Sequence, residues 1–121
     1  MKKLVYTAHS GETAKYSKYI MNFVFSKGYL PVNPYEVFDY WMLTWEWHKG
    51  DKKAVIEDTI ALMLHCDELW LFGESKEDAM SKSGVKEELE AWKKHKNNEP
   101  KFFTWEEVGI PKYMKGSKWH L

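Results

Sequence analysis

The apolar residues of this chain alternate along its length between strand spacing and helix spacing. Strands that alternate with helices favour parallel pairing with right-handed crossovers. The pattern therefore predicts a three-layer α/β sandwich around a central parallel sheet of four or five strands. The predicted strands are residues 4–8, 29–32, 68–72 and 101–103. Two helices are predicted at residues 13–27 and 51–65, and a third begins at Ser83-Gly84. The capping-box pattern of residues 104–107 predicts a last short helix.

Length and composition limit the classes of function. The 121 residues are predicted to form a single domain, 1–121, without linkers or repeats. All 18 basic residues are lysines, balanced by 18 acidic residues, and the lack of arginine argues against a duplex nucleic acid partner. The single cysteine, Cys66, excludes an internal disulfide. Neither a signal-peptide core nor a membrane span is recognisable, so a cytoplasmic protein without a membrane partner is expected.

Glu88 is the charged residue whose position most needs an explanation. In the helix that opens on Ser83-Gly84, the residues Val85, Leu89 and Trp92 share one face, and Glu88 lies among them. Its i±4 neighbours are Gly84 and Trp92, and neither can neutralise a carboxylate. Burying such a group is costly unless it is paired or functional. Two interpretations are open, a functional carboxylate or a boundary residue that reaches water or a lysine of another element.

Three polar loops follow predicted strands. They are His9-Ser10-Gly11, Asn33-Pro34-Tyr35 and residues 73–83. In parallel α/β sheets, ligands bind beyond the carboxyl ends of the strands. The three loops are therefore expected to converge on one crevice.

Residues 35–50 contain a high density of aromatic side chains, including Trp41, Trp45 and Trp47. Because the segment follows the second strand, its flat rings suit a wall over a planar ligand such as a nucleobase. The alternative is packing in the core or in a subunit interface. Seven tryptophans are many for one small core, so a homo-oligomer is also predicted.

The C-terminal residues 112–121 mix lysines with aromatic residues. This composition allows contact with single-stranded nucleic acid. Docking on a neighbouring subunit is the alternative, as is a frayed terminus.

Five stretches of the sequence together resemble the nucleoside 2-deoxyribosyltransferase-like superfamily, in particular its small uncharacterised bacterial and phage members. The resemblance covers roughly residues 4–108 and implies a flavodoxin-like fold. It also implies cleavage of the N-glycosidic bond of a nucleoside or nucleotide, by hydrolysis or by deoxyribosyl transfer, with a glutamate of a GxxxE helix as the nucleophile. Gly84-Val85-Lys86-Glu87-Glu88 is the matching run, so the role falls on Glu88. The stretches are VYTAHSGE, KGYLPVNPYEVFDYWML, MLHCDELWLFG, SKSGVKEELEAW and PKFFTWEEV.

The remaining site residues follow from the resemblance together with the loops and the aromatic segment described above. A second carboxyl group is expected on the helix before the third strand, where Asp58 is the nearest candidate, displaced by about one residue. Two interpretations of Tyr6 are open: a hydrogen bond to one of these carboxylates, or an ordinary core tyrosine with a satisfied hydroxyl. The predicted substrate-binding residues are Tyr6, His9, Ser10, Gly11, Trp45, Trp47, Ser81, Ser83 and Gly84. The first loop has fewer glycines than related hydrolases and no arginine, which weakens the case for phosphate recognition.

No cofactor and no metal site are predicted. His65, Cys66 and Asp67 are adjacent, so their side chains point in different directions and do not converge on one zinc ion. Besides an enzyme, two other readings are open: a nucleotide-like ligand-binding module of the same fold that senses or sequesters without turnover, and an interaction protein whose tryptophans form an oligomer interface.

Overall fold

The structure is a computed structural model and describes residues 1–39 and 41–114. Four parallel strands form one sheet in the order β2-β1-β3-β4. The register places Tyr6 of β1 opposite Val32 of β2 and Leu69 of β3. The predicted α/β sandwich with a parallel sheet is thus confirmed, with four strands. The strands are β1 (Leu4–Ala8), β2 (Leu30–Val32), β3 (Glu68–Gly73) and β4 (Lys101–Thr104).

In the described residues, six α-helices connect the strands or follow them, together with three helical segments of other types. The α-helices are α1 (Ser17–Ser26), α2 (Pro34–Val37), α3 (Lys52–Met63), α4 (Lys76–Ser81), α5 (Ser83–His95) and α6 (Trp105–Val108). The other segments are 3-10 helices at Gly11–Tyr16 and Lys112–Met114 and a π-helical segment at Met42–Trp47. None of the helices in the described ranges has the length and apolar character needed to cross a bilayer.

The sheet separates two apolar cores because successive strand residues point to opposite faces. On β1, Tyr6 belongs to the core under α3 and α5, whereas Val5 belongs to the core under α1 and α6. On β3, Leu69 faces the first core and Trp70 faces the second. All six residues of β3 are buried, as expected for a central strand covered on both faces.

The structure differs from the predicted elements in two connections. The segment after β3, expected to be a polar loop, contains α4. Ser75 caps this helix, because its side chain accepts a hydrogen bond from the backbone N–H of Asp78 at 3.0 Å. The aromatic segment after β2 is helical, and it includes α2 and the π-helical turns. Of its residues, Tyr40 lies outside the described ranges, as do residues 115–121 of the C-terminal segment, for which nucleic acid contact or docking was considered.

The cap predicted at Thr104 is confirmed. The Thr104 side chain accepts from the backbone N–H of Glu107, and the Glu107 carboxylate accepts from the backbone N–H of Thr104. The inward face predicted for α5 is also confirmed, because Val85, Glu88, Leu89 and Trp92 are its buried residues.

Candidate functional site

A cavity of about 400 Å³ opens where the chain leaves β1 and β2. Five parts of the chain form its wall: the loop after β1, the start of α2, the π-helical segment with its following turn, α3, and α5 with its N-cap. The volume lies in the range of small-molecule sites, which is about 300–1,000 Å³. The first two predicted loops do converge here, whereas residues 73–81 of the third do not line this cavity. Gly73, Glu74 and Asp78 line instead a neighbouring cavity of about 210 Å³.

Glu88 lines the cavity although it is buried. The Tyr6 hydroxyl donates a hydrogen bond to its Oε2, and the buried Thr59 lies beside it on the cavity wall. Burial raises the pKa of Glu88 from 4.5 to about 7, and the Tyr6 and Thr59 hydroxyls oppose the increase. Burial also raises the pKa of Tyr6 well above its usual value, and the Glu88 charge adds to this effect. At neutral pH, Glu88 therefore exchanges readily between a carboxylate and a carboxylic acid.

His9 is held neutral by a buried polar network. The Oδ1 of Asn33 accepts from the backbone N–H of Tyr35 at 3.0 Å, so its amide nitrogen points the other way. That nitrogen donates to Thr7 Oγ1 at 3.0 Å and to His9 Nε2 at 2.9 Å. Because Nε2 accepts, Nδ1 carries the proton and donates to Thr13 Oγ1 at 2.9 Å. Burial lowers the pKa of His9 to about 3, so His9 fixes the loop after β1 and does not supply protons near neutral pH.

The start of α5 gives the cavity a positive and hydroxyl-bearing side. Ser83 and Gly84 line the cavity, and no side chain caps the helix at Lys82. The first backbone N–H groups of a helix favour anionic or hydroxyl-bearing ligands. Lys82 and Lys52 also line the cavity. This side therefore attracts electron-rich groups of a ligand.

Trp45 forms an aromatic part of the wall. Its indole packs on Gly50, where an added Cβ would approach the ring to 2.9 Å. Gly50 has φ +81°, a conformation that a side chain disfavours, so two properties of this position favour glycine. About half of Trp45 remains exposed, which leaves ring surface for a planar ligand.

Seven of the predicted site residues line the cavity together: His9, Ser10, Gly11, Trp45, Ser83, Gly84 and Glu88. Tyr6 does not line it but bonds to Glu88 from beneath.

The other three predicted residues lie elsewhere. Asp58 points away from the cavity, because successive residues of a helix face about 100° apart and its neighbour Thr59 takes the inward position. The Asp58 side chain is half exposed and contacts His48 Nε2 at 2.7 Å. Trp47 is 77% exposed, and the Ser81 hydroxyl donates to the backbone oxygen of Asp78.

Sequence reasoning missed several residues of the wall, notably Thr59, Lys52, Lys82 and Glu12. The spacing Lys52, Val55, Ile56, Thr59 is three and four residues, so a helical face through these positions was a recognisable signal. The role of Lys82 depends on its position as the N-cap of α5, next to Ser83. Glu12 lies one residue beyond the predicted Gly11.

No group of three or more His, Cys, Asp or Glu side chains in residues 1–39 and 41–114 is arranged to hold a metal ion. Comparison with protein-family models, curated proteins and solved structures gives no match. The chemistry of the cavity therefore carries the functional argument.

Proposed function

We propose that this protein cleaves the N-glycosidic bond of a nucleoside or nucleotide, by hydrolysis or by deoxyribosyl transfer, with Glu88 as the nucleophile. The observation that carries the proposal is the buried Glu88 carboxyl group on the wall of a cavity of small-molecule size. Burial raises its pKa to about 7, so both protonation states are accessible at neutral pH. A buried carboxylate is a stability cost, and such costs are concentrated at functional sites.

The proposed reaction uses one oxygen of Glu88. Tyr6 holds Oε2 by a hydrogen bond, which orients the carboxylate. The other oxygen, Oε1, attacks the anomeric carbon, and the bond from that carbon to the base nitrogen breaks with its electron pair on the base. The resulting ester is resolved by water, which gives the free sugar, or by a second base, which gives a new nucleoside.

The leaving base also needs a proton. Asp58 was expected to supply it, but its side chain lies outside the cavity. Among the described residues that line the cavity, Glu12 provides the second carboxyl group. We therefore assign the proton transfer to Glu12 or to water at the open side of the cavity.

A binding module that does not turn over its ligand is the second candidate. It is favoured by one observation, namely that the helix before β3 presents Thr59 to the cavity where a second acid was expected. With a single buried carboxylate and an aromatic wall, the same cavity would hold a nucleotide-like ligand without protonating its base.

One experiment separates these two functions. The protein is incubated with a panel of deoxynucleosides and their 5′-monophosphates, with and without a second free base, and free base and new nucleoside are quantified by chromatography. Turnover of at least one compound supports the enzyme. Heat of binding in calorimetry without any base release supports the binding module. If no compound of the panel is turned over or bound, both functions are contradicted.

A second copy of the chain is the proposed partner of the aromatic segment. Trp41, Met42 and Trp47 are each more than half exposed, which is unusual for large apolar side chains in one segment. Charges of both signs lie in the segment or directly after it, so a second copy would offer opposite charges to it. They are the acids Glu36, Asp39, Glu46 and Asp51 and the lysines Lys49, Lys52 and Lys53.

A further inference from the structure

Thr59 occupies an unusual position between two alternative hydrogen-bond acceptors. It lies on α3, is buried, and lines the cavity beside Glu88. Its hydroxyl donates to the backbone oxygen of Ile56 at 3.0 Å. Glu88, which accepts from the Tyr6 hydroxyl, is buried on the wall of the same cavity, and the Thr59 hydroxyl lowers the pKa of both Glu88 and Tyr6. A hydroxyl has one proton, so it cannot donate to Ile56 and to Glu88 at the same time.

We infer that Thr59 is a positioning residue whose hydroxyl donates to Glu88 when that group is ionised and to the Ile56 oxygen when Glu88 is protonated. Tyr6 donates to Oε2 of the ionised group. Thr59 therefore supplies the second donor that a buried carboxylate needs. When Glu88 binds a proton, the Thr59 hydroxyl remains satisfied by Ile56, and no buried polar atom is left without a partner. The Thr59 hydroxyl thus serves both protonation states of Glu88.

The effect of the Thr59 hydroxyl on the titration of Glu88 can be separated from the effects of neighbouring charges. Tyr6 reaches it from β1, Thr59 from α3, and Glu87 acts on it from α5 itself. The other titratable side chains on the cavity wall are His9, Glu12, Tyr35, Lys52 and Lys82. Replacing Thr59 changes none of these charges. The predicted change therefore arises from the lost hydrogen bond alone, provided that the packing is kept.

The test compares Thr59→Val, which keeps the shape and removes the hydroxyl, with Thr59→Ser, which keeps the hydroxyl. The side-chain carboxyl carbon of Glu88 is followed by NMR as a function of pH, and its resonance is assigned by its absence from Glu88→Gln. A hydrogen bond to a charged group contributes about 1.5–3 kcal/mol, so Thr59→Val is expected to raise the titration midpoint by about one pH unit or more. Thr59→Ser is expected to stay within about 0.3 pH unit of the parent.

An unchanged midpoint in Thr59→Val, or equal shifts in the Val and Ser variants, would overturn the inference. If Thr59→Val does not fold, Thr59→Ala also lacks the hydroxyl, and the same shift is expected from it. The catalytic meaning of Thr59 rests on the proposed function, whereas the titration does not. With a confirmed substrate, the acidic limb of the kcat/KM profile is expected to move with the midpoint. A protein without turnover would leave the titration result standing.

Discussion

The buried Glu88 carboxyl group predicts a specific pH dependence of folding stability. Burial raises its pKa from 4.5 to about 7, so the folded protein holds this proton more tightly than the unfolded chain does. The resulting stabilisation is fully present below about pH 4.5 and is lost as the pH rises through about 7. Glu88→Gln is always neutral and lacks this dependence. The variant is therefore expected to gain stability relative to the parent as the pH rises.

The magnitude follows from the two pKa values. One pKa unit corresponds to about 1.4 kcal/mol, so the full effect is about 3 kcal/mol, of which about 2 to 3 kcal/mol falls between pH 5 and pH 8. His9 acts in the opposite direction, because burial lowers its pKa to about 3 and its contribution is lost as the pH falls below about 6.5. The difference between parent and variant cancels His9, which is present in both.

The measurement is urea unfolding of parent, Glu88→Gln and Glu87→Gln at pH 5 and at pH 8. Glu87 is the matched control, since it is the adjacent residue of the same helix and is exposed. For Glu88→Gln the stability difference from the parent is expected to change by about 2 to 3 kcal/mol between the two pH values. For Glu87→Gln it is expected to change by less than about 0.5 kcal/mol. A pH-independent difference for Glu88→Gln would refute the account of a strained, neutralisable carboxyl group.

Three further predictions concern other parts of the structure. Trp45→Ala is expected to weaken binding of any confirmed ligand about tenfold or more in calorimetry. Trp47 lies outside the cavity, so Trp47→Ala is expected to change the affinity less than about twofold. Equal effects of the two substitutions would contradict the assignment of Trp45 to the wall. Asn33→Ala is expected to lower the free energy of unfolding by about 3 kcal/mol, because it removes the donor that Thr7 and His9 share. Asn97→Ala, at an exposed position, is the control. Similar losses in the two variants would argue against the network. Sedimentation at micromolar concentration is expected to show a dimer or a multiple of one that Trp47→Lys dissociates, and a monomeric parent would exclude the proposed interface.

The fold was predictable because the apolar pattern is simple in the strands and in the long helices. The segment 68–72 is apolar enough to be buried on both faces, and it became the central strand. The Glu88 face was equally readable, because helical spacing fixes which side chains share it. The connections were less predictable. The π-helical turns at Met42–Trp47 bury only Leu43, so the segment has no apolar period that would predict a helix.

The site was predicted in part, and the errors have geometric causes. Residues that follow strand ends, such as His9 and Tyr35, line the cavity because topology places those ends together. Asp58 was chosen for its chemistry, yet one position on a helix rotates a side chain by about 100°, so Thr59 faces the cavity instead. Lys52 and Lys82 were missed because exposed lysines are common and only the fold shows which ones border a cavity.

The rate of base release by Glu88→Gln, measured against Glu87→Gln on a substrate found in the nucleoside panel, tests the central claim most directly. If Glu88 is the nucleophile, its replacement is expected to lower the rate by on the order of a thousandfold or more while the fold is kept, because Gln cannot form the glycosyl ester. Glu87→Gln is expected to retain the parent rate within about twofold. A Glu88→Gln protein as active as the parent would contradict the claim and would leave Glu88 with a structural role.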